Sequence, residues 1–479
     1  MEKLSYIDIS DRAKKISLDH EDDIKNAKNE LIKSAENFKM TWVVLDDDPT
    51  GIQTVHDIAV YTDWREETLV TALQNEKGMF YILTNSRGIT PEASERLHRE
   101  LMGNLILASQ KSKVSVCVIS RSDSTLRGHF PLETDIIKAC MMEGLNEETD
   151  GLILAPFFYA GGRMTYEDVH YVKYGDDLIP AGETEFAGDE TFGYKSSDLK
   201  EYIEEKTGGK RKARDVISIP LDMLREGNVD GVEKELDRAV EGTPVVVNAL
   251  EPVDIEVFCA ALYRSLNKGK RFVYRTAADF VKAVGAVTDK DLLTGKTLGI
   301  KSQKGGIVVI GSHTDKTTRQ LERLRDFKDL TFLEYDSDRV LDGGLMEETN
   351  RVAKLASAEI DKGLTPVIYT KRKVLTLPDD TKEEALIRSA KISDAFTGIV
   401  AKLDCEPAYI IGKGGITSSD IGTRALGVKR ALVMGQIQPG VPVWKTDKGS
   451  RFPGIPYIIF PGNVGDDDTL LNAIIALTD

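Results

Sequence analysis

Short apolar runs recur along this chain at strand length, separated by amphipathic stretches long enough for helices. In the first half they are TWVVL (41–45), MFYILTN (79–85), VSVCVIS (114–120) and GLILAP (151–156), with Pro91–Lys111 and Pro131–Met142 helical between them. Such alternation favours a mainly parallel sheet covered by helices on both faces, because parallel neighbours need a long crossover. The rhythm breaks over residues 157–215, rich in Gly, Tyr and acidic residues, which are expected to run over the surface as a long excursion. It resumes with TPVVVNA (243–249) and RFVYRT (271–276) and pauses again at residues 288–306. A second series follows: IVVIGSHTDKTT (307–318), TPVIYTKR (365–372), AYIIGKGGITSSD (408–420), ALVMGQ (431–436) and YIIFPGNVGDDD (457–468).

A chain of 479 residues exceeds what one core usually organises. The expected fold class is therefore α/β with two domains, each a mainly parallel sheet flanked by helices, and an active site in the cleft between them. The expected boundaries are an N-terminal helical extension at 1–40, with Ile24, Ala27, Leu31, Ala35 and Phe38 at helical spacing; a first domain at 41–287; a linker at 288–305; and a second domain at 306–479. The net charge of -15 argues against nucleic acid as the main partner. No run approaches the roughly 20 apolar residues of a membrane span, so no membrane partner is expected. Cys117, Cys140, Cys259 and Cys405 are widely spaced, without a CxxC pair, and read as buried reduced thiols. With no apolar leader, the expected compartment is the cytoplasm. A homodimer is left open as the assembly.

In an open parallel sheet, ligands bind beyond the carboxyl ends of the strands. In the first half those ends carry Asp46, Asp47, Asp48, Thr50 and Gly51, then Asn85, Ser86 and Arg87, then Arg121, Asp123, Ser124, Thr125, Arg127 and Gly128. Arginines pair with a carboxylate, and aspartates and hydroxyls bind hydroxyl groups, so the set suits a small polyhydroxylated acid. The candidate catalytic residues are Asp47, Asp48 and Asp123, and the sequence does not choose the base among them. In the second half the ends are glycine-rich: Gly311-Ser312, Lys413-Gly414-Gly415 and Gly462-Asn463-Val464-Gly465. Glycine allows backbone N–H groups to approach phosphate closely, and Lys413 and Arg424 add positive charge nearby. Neither a P-loop nor a dinucleotide fingerprint fits. An acceptor site and a nucleotide phosphate site on separate domains suggest phosphoryl transfer, with Mg2+ bridging the phosphates, the metal ligands being undetermined.

Two other readings stay open. Asp46-Asp47-Asp48-Pro49-Thr50 also fits the D-x-D-x-T nucleophile motif of haloacid-dehalogenase-like phosphatases, with YILTNS as a second motif and Asp466–Asp468 as a metal-binding fourth; Asp46 would then attack phosphorus and Asp48 act as acid and base. A non-catalytic acid-sugar sensor on the same fold is the other.

With these residues in view, the chain resembles the four-carbon acid sugar kinase family from about residue 42 to 475. The resemblance rests on Asp47, Asp48, Thr50 and Gly51 (Asp-Asp-x-Thr-Gly); on Ser86-Arg87; on Asp123, Ser124, Arg127 and Gly128, with Arg121 in place of lysine; and on Gly162-Arg163. In the second half it rests on Gly311-Ser312 with Thr317 and Gln320, on Gly414-Gly415 with Thr417 and Ser418, and on Gly462, Asn463 and Gly465. Ile416 stands where the family has glutamate, and Phe460 where a lysine precedes the last loop. The resemblance implies an N-terminal domain that binds an acid sugar, a C-terminal domain that binds ATP, and a kinase that phosphorylates the terminal hydroxyl of a threonate, erythronate or oxo-tetronate. It makes Thr50, Gly51, Ser86, Arg87, Arg121, Ser124, Arg127, Gly128 and Arg163 substrate-binding candidates. Gly311, Ser312, Thr317, Lys413, Gly414, Gly415, Thr417, Gly462, Asn463 and Gly465 are the nucleotide-binding ones.

Overall fold

The computed structural model describes residues 4–373, 375–377, 380–462 and 464–478. Their strands, in chain order, are β1 (Leu4–Ser5), β2 (Thr41–Asp46), β3 (Ile58–Tyr61), β4 (Met79–Leu83), β5 (Val116–Arg121), β6 (Gly151–Ala155), β7 (Arg163–Tyr166), β8 (Val169–Tyr174), β9 (Asp177–Pro180), β10 (Ile217–Ile219), β11 (Thr243–Val247), β12 (Phe272–Thr276), β13 (Ile307–Ile310), β14 (Leu330–Tyr335), β15 (Thr365–Thr370), β16 (Ile410–Lys413), β17 (Arg430–Gln438), β18 (Val441–Thr446) and β19 (Pro456–Phe460). The chain divides into two compact units. One takes the residues up to Gly51 and Asp63–Thr288; the other takes Ile52–Thr62 and the residues from Asp289 onward.

The first unit is built on parallel strands in the order β10-β11-β6-β12-β5-β2-β4. Every residue of β2, β4 and β5 is buried, which is why these strands read as continuous apolar runs. Register then fixes where the chemistry lies. Asp46 pairs across from Arg121 on one side and Leu83 on the other, and Thr276 pairs with Arg121, so the carboxyl ends of β2, β4, β5 and β12 are level.

The stretch after β6 is more ordered than an irregular excursion. β7, β8 and β9 form an antiparallel sheet with β1, in the order β1-β9-β8-β7. The β7–β8 turn is Glu167-Asp168, with φ of 49° and 63°, a tight hairpin whose positive dihedrals sequence pattern alone did not signal. Val172, Ala181, Tyr194, Leu199 and Tyr202 of this stretch pack on Leu126 and Phe130.

The N-terminal residues form helices at Tyr6–Asp19 and Glu21–Asn37, and the second, burying Ala27 and Leu31, packs on the helix Pro252–Asn267. A buried arginine fastens this corner. Arg225 donates from Nη1 to Glu251 (3.0 Å) and Ser17 (3.5 Å) and from Nη2 to Asp254 (3.1 Å), while Asp254 also accepts the backbone N–H groups of Leu250 and Glu251 at 2.8 Å.

The second unit's sheet runs β3-β17-β18-β19-β16-β13-β15-β14. From β19 to β14 it is parallel; β3, β17 and β18 are antiparallel additions at one side. Residues 52–62, placed by sequence in the first domain, thus supply the second unit with β3. Residues 289–305 also belong to it, and Leu293 packs in its core with Val308, Ile310, Tyr409 and Ile411. No helix among the described residues is long and apolar enough to cross a membrane.

Replacing Arg225 leaves Asp254 buried without its cation, so Arg225→Ala is expected to lower unfolding stability by about 3–5 kcal/mol in urea titrations. A loss below about 1 kcal/mol would show that water reaches and satisfies Asp254.

Candidate active site

The loop after β2 is shaped by its own carboxylates. Asp48 Oδ1 accepts the N–H (2.8 Å) and the hydroxyl of Thr50, and its carbonyl accepts the Gly51 N–H at 3.0 Å, closing a tight turn. Gly51 is then pressed onto the strand below: a Cβ there would lie 2.2 Å from Arg121 Nη1 and from both Asp46 carboxylate oxygens.

Asp46 itself has no exposed surface. Arg121 Nη1 donates to its Oδ1 at 3.0 Å, and Oδ2 has no partner among the described residues. Burial pushes its carboxyl up to about 7 against the pull of Arg121, with Asp47 and Asp48 adding repulsion. Asp47 sits differently. Burial works against its charge, but Arg87, then Arg121 and Arg275, outweigh it and hold its pKa below the usual carboxylate range. Arg87 grips both oxygens (2.5 and 3.1 Å), and Ser122 donates at 2.6 Å. Asp123 is likewise lowered, burial being outweighed by Arg87 and Arg127; Arg127 Nε donates to it at 2.7 Å and Arg87 Nη1 lies 3.9 Å away. Arg87 also reaches Asp48 at 3.4 Å. Side-chain exposure separates the three catalytic candidates: 24% for Asp48, 12% for Asp123 and 2% for Asp47.

The structure therefore brings Asp47, Asp48, Arg87, Arg121, Asp123 and Arg127 into one ion-pair network, with Thr50 and Gly51 in the turn packed against it. Of the arginines expected to hold the acceptor's carboxylate, Arg87 and Arg127 with Arg121 as a third candidate, Arg121 is instead a buried partner of Asp46 and Arg87 is held by Asp47. Ser86 is turned inward, donating to Glu133 at 2.6 Å, and Ser124 is buried with its carbonyl accepting from His170. Gly128, at φ 114°, lies where a Cβ would meet Arg275 and Ser122 at 2.6 and 2.7 Å. Arg163 and Arg127 flank the Phe186 ring at 5.6 and 5.1 Å, and Arg163 Nε has no partner among the described residues. Sequence reasoning missed Arg275 and Glu133, which meet at 2.7 Å behind Ser86 and Ser120. The signal was an arginine one residue before the end of the RFVYRT strand, level with Ser120.

Asp46 is also the nucleophile of the phosphatase reading, and a carboxylate this deeply buried and held by Arg121 is not placed to attack phosphorus. The fourth motif of that reading is spent as well. Asp466 accepts the Thr469 hydroxyl (2.7 Å) and the Asp468 N–H (3.1 Å) at the start of the helix Thr469–Thr478, while Asp467 and Asp468 pair with Arg319 and Arg323.

In the second unit, register aligns Ile310, Lys413 and Phe460, so β13, β16 and β19 deliver their glycine loops side by side. Thr317 Oγ1 donates to Ser312 Oγ (3.0 Å) and to the Gly462 carbonyl (3.2 Å), tying the first loop to the third. Thr417 Oγ1 lies where a Gly311 Cβ would sit, tying the first to the second, and Gln320 donates to Val464 and Asp466 carbonyls. Gly414 has φ 121°; Gly465, at φ 81°, packs on Thr469; a Cβ on Gly415 would meet no atom within 4 Å. Asn463 lies outside the described residues. Lys413 is fully buried, donating to the Pro461 (2.7 Å) and Gly462 (3.3 Å) carbonyls above the Phe460 ring. Arg424 is taken by Asp394 and Asp420, and Ile416 is 73% exposed. Among the described residues no group of three or more His, Cys, Asp or Glu gathers as a metal cage.

A family model described as a sugar-binding N-terminal domain matches residues 42–284, and one described as a nucleotide-binding C-terminal domain matches residues 307–470. Solved structures share the fold. A Salmonella typhimurium LT2 protein carrying a provisional tRNA synthase label is 17% identical with a TM-score of 0.66, over 90% of this chain and 98% of its own. A Haemophilus influenzae protein from a family labelled as a domain of unknown function is 18% identical with a TM-score of 0.60, over the same shares. No curated protein matches the chain.

Because the Asp46 carboxyl is raised on folding, its contribution to stability is present below about pH 4 and is lost as pH rises through about 7. Unfolding free energies measured from pH 4 to 8 should fall in the wild type relative to Asp46→Asn, by a few kcal/mol in all. Parallel profiles would mean that Asp46 is ionised throughout.

Proposed function

The chain belongs to the four-carbon acid sugar kinase family, with a sugar-binding N-terminal and a nucleotide-binding C-terminal domain, and we propose that it is an ATP-dependent kinase that phosphorylates the terminal hydroxyl of a small acid sugar of the threonate, erythronate or oxo-tetronate type. The observation that carries the proposal is the carboxylate–arginine network at the level ends of β2 and β5, inside the domain matched as sugar-binding.

Roles divide by what each side chain already holds. Asp47, saturated by Arg87 and Ser122, positions Arg87. Asp48 and Asp123 keep the more exposed carboxylates and are assigned to the acceptor's hydroxyl groups, one of them taking the proton of the attacking hydroxyl. Arg127 and Arg163, beside Phe186, are assigned to the acceptor's carboxylate in place of Arg121. The open space over Gly415 and the linked glycine loops suit a polyphosphate, whose oxygens would be met by loop N–H groups. Mg2+, which keeps waters and binds mostly through phosphate oxygens, would neutralise charge on the transferring group. The buried free cysteines suit a reducing compartment, the cytoplasm.

A sensor without turnover is the second reading. It is favoured by exposed Ile416 in the second glycine loop, where the resemblance calls for glutamate.

Purified protein given ATP, Mg2+ and a panel of four-carbon acid sugars should yield one phosphorylated product. Binding of an acid sugar with no turnover across the panel would favour the sensor. Asp48→Asn and Asp123→Asn should each fold normally, and the one that removes the base should lower kcat about 100-fold or more. If those two and Asp47→Asn all kept near wild-type turnover, the assignment would be wrong. Gly415→Ala, whose Cβ meets no neighbouring atom within 4 Å, should leave the melting temperature unchanged, and the bulkier Gly415→Val should abolish calorimetric Mg-ADP binding.

A further inference from the structure

Cations withdrawn from water need counter-charges, and two in the second unit, fully buried Lys413 and half-buried Arg372, have none among the described residues. Among the described residues Lys413, at the end of β16, donates only to loop carbonyls, and Arg372, two residues beyond the end of β15, contacts no carboxylate. Both lie around the strand between them, β13, which carries the first glycine loop.

Arg372 is closely engaged with that loop. Its Nη2 donates to the Ser312 carbonyl at 2.7 Å and to Thr318 Oγ1 at 3.0 Å, Nε donates to Thr318 at 3.3 Å, and Nη1 is shielded from water without an acceptor among the described residues. The local field is positive. Burial alone lowers the Arg372 pKa; His313, on the same loop, is lowered by burial and then by Arg372; and Lys413 is lowered to about 7 by burial and then by Lys316. In contrast, neighbouring Lys371 is neutralised by Asp336 and Asp338.

Resting on the nucleotide-binding reading of this unit, we infer that Arg372 is a phosphate-binding residue of the nucleotide site, its counter-ion being the polyphosphate that the glycine loops receive. The guanidinium braces the first loop through Ser312 and supplies an unsatisfied donor to the incoming anion. A phosphate seated there removes the unfavourable field that the bare site maintains. The sequence signal was the basic run Lys371-Arg372-Lys373 directly after a buried strand, at the same end of the sheet as the glycine loops.

The test is calorimetry of the full chain with ADP and with inorganic tripolyphosphate, together with competition by adenosine. Arg372→Gln should weaken ADP and tripolyphosphate roughly tenfold or more, the scale of one lost charge-assisted hydrogen bond, and leave adenosine competition nearly unchanged. Arg372→Lys should recover part of the loss, and Thr318→Val, which removes the brace's hydroxyl but no charge, should bind ADP like the wild type. Equal losses for ADP and adenosine in Arg372→Gln, with a lowered melting temperature, would make Arg372 only a strut of the loop and overturn the inference. Unchanged ADP binding in Arg372→Gln would overturn it while leaving the nucleotide site standing. A wild type that binds neither ADP nor tripolyphosphate would remove both.

Discussion

The arrangement of the first unit follows from carboxylates at the level ends of parallel strands. Asp46 and Asp47 leave the end of β2 with almost no access to water, and a buried carboxylate survives as an ion only beside a cation. Arg121 on β5 meets Asp46, and Arg87 meets Asp47, so two arginines are drawn under the surface and their geometry is fixed before any ligand arrives. The glycines follow from the same crowding: Gly51 and Gly128 lie against these charged groups where no side chain has room. Such pairs add little net stability, but removing one partner is costly, and the result is a rigid, pre-oriented set of charges.

The second unit solves its problem with backbone. Its loops carry few charged side chains, and they are joined through hydroxyls and carbonyls: Thr317 to Ser312 and Gly462, Gln320 to Val464, and Lys413 to Pro461. Side-chain donors on loop carbonyls then fix the loops there as arginine pairs fix the carboxylates in the first unit.

Much of this was legible in the sequence. Continuous apolar runs marked β2, β4, β5, β13, β15, β16 and β19, since strands buried on both faces have nothing else to write, and polar residues just past those runs marked the strand ends. Pairing was not legible. That Arg121 would be consumed by Asp46 depends on the β2–β5 register, which no local pattern encodes. Lys413 turns inward because the carbonyls of a neighbouring loop receive it, and Asp466–Asp468 become a helix-start contact and surface pairs because Thr469, Arg319 and Arg323 are placed to take them. The sheet of β7, β8 and β9 was hidden by its turn, where Glu167 and Asp168 adopt positive φ without the usual asparagine or glycine.

The eleven residues Ile52–Thr62 have a bearing on how the gene could be divided. Their strand pairs with β17 from Arg430 to Val433, so a fragment beginning at Asp289 would lack one strand of its own sheet and present that row of N–H and C=O groups unpaired. The nucleotide half is therefore not a detachable module. Sticky, poorly folded material is the expected product of cutting the chain at its apparent linker, whereas a circular permutant or a fragment carrying Ile52–Thr62 in trans would restore the missing edge.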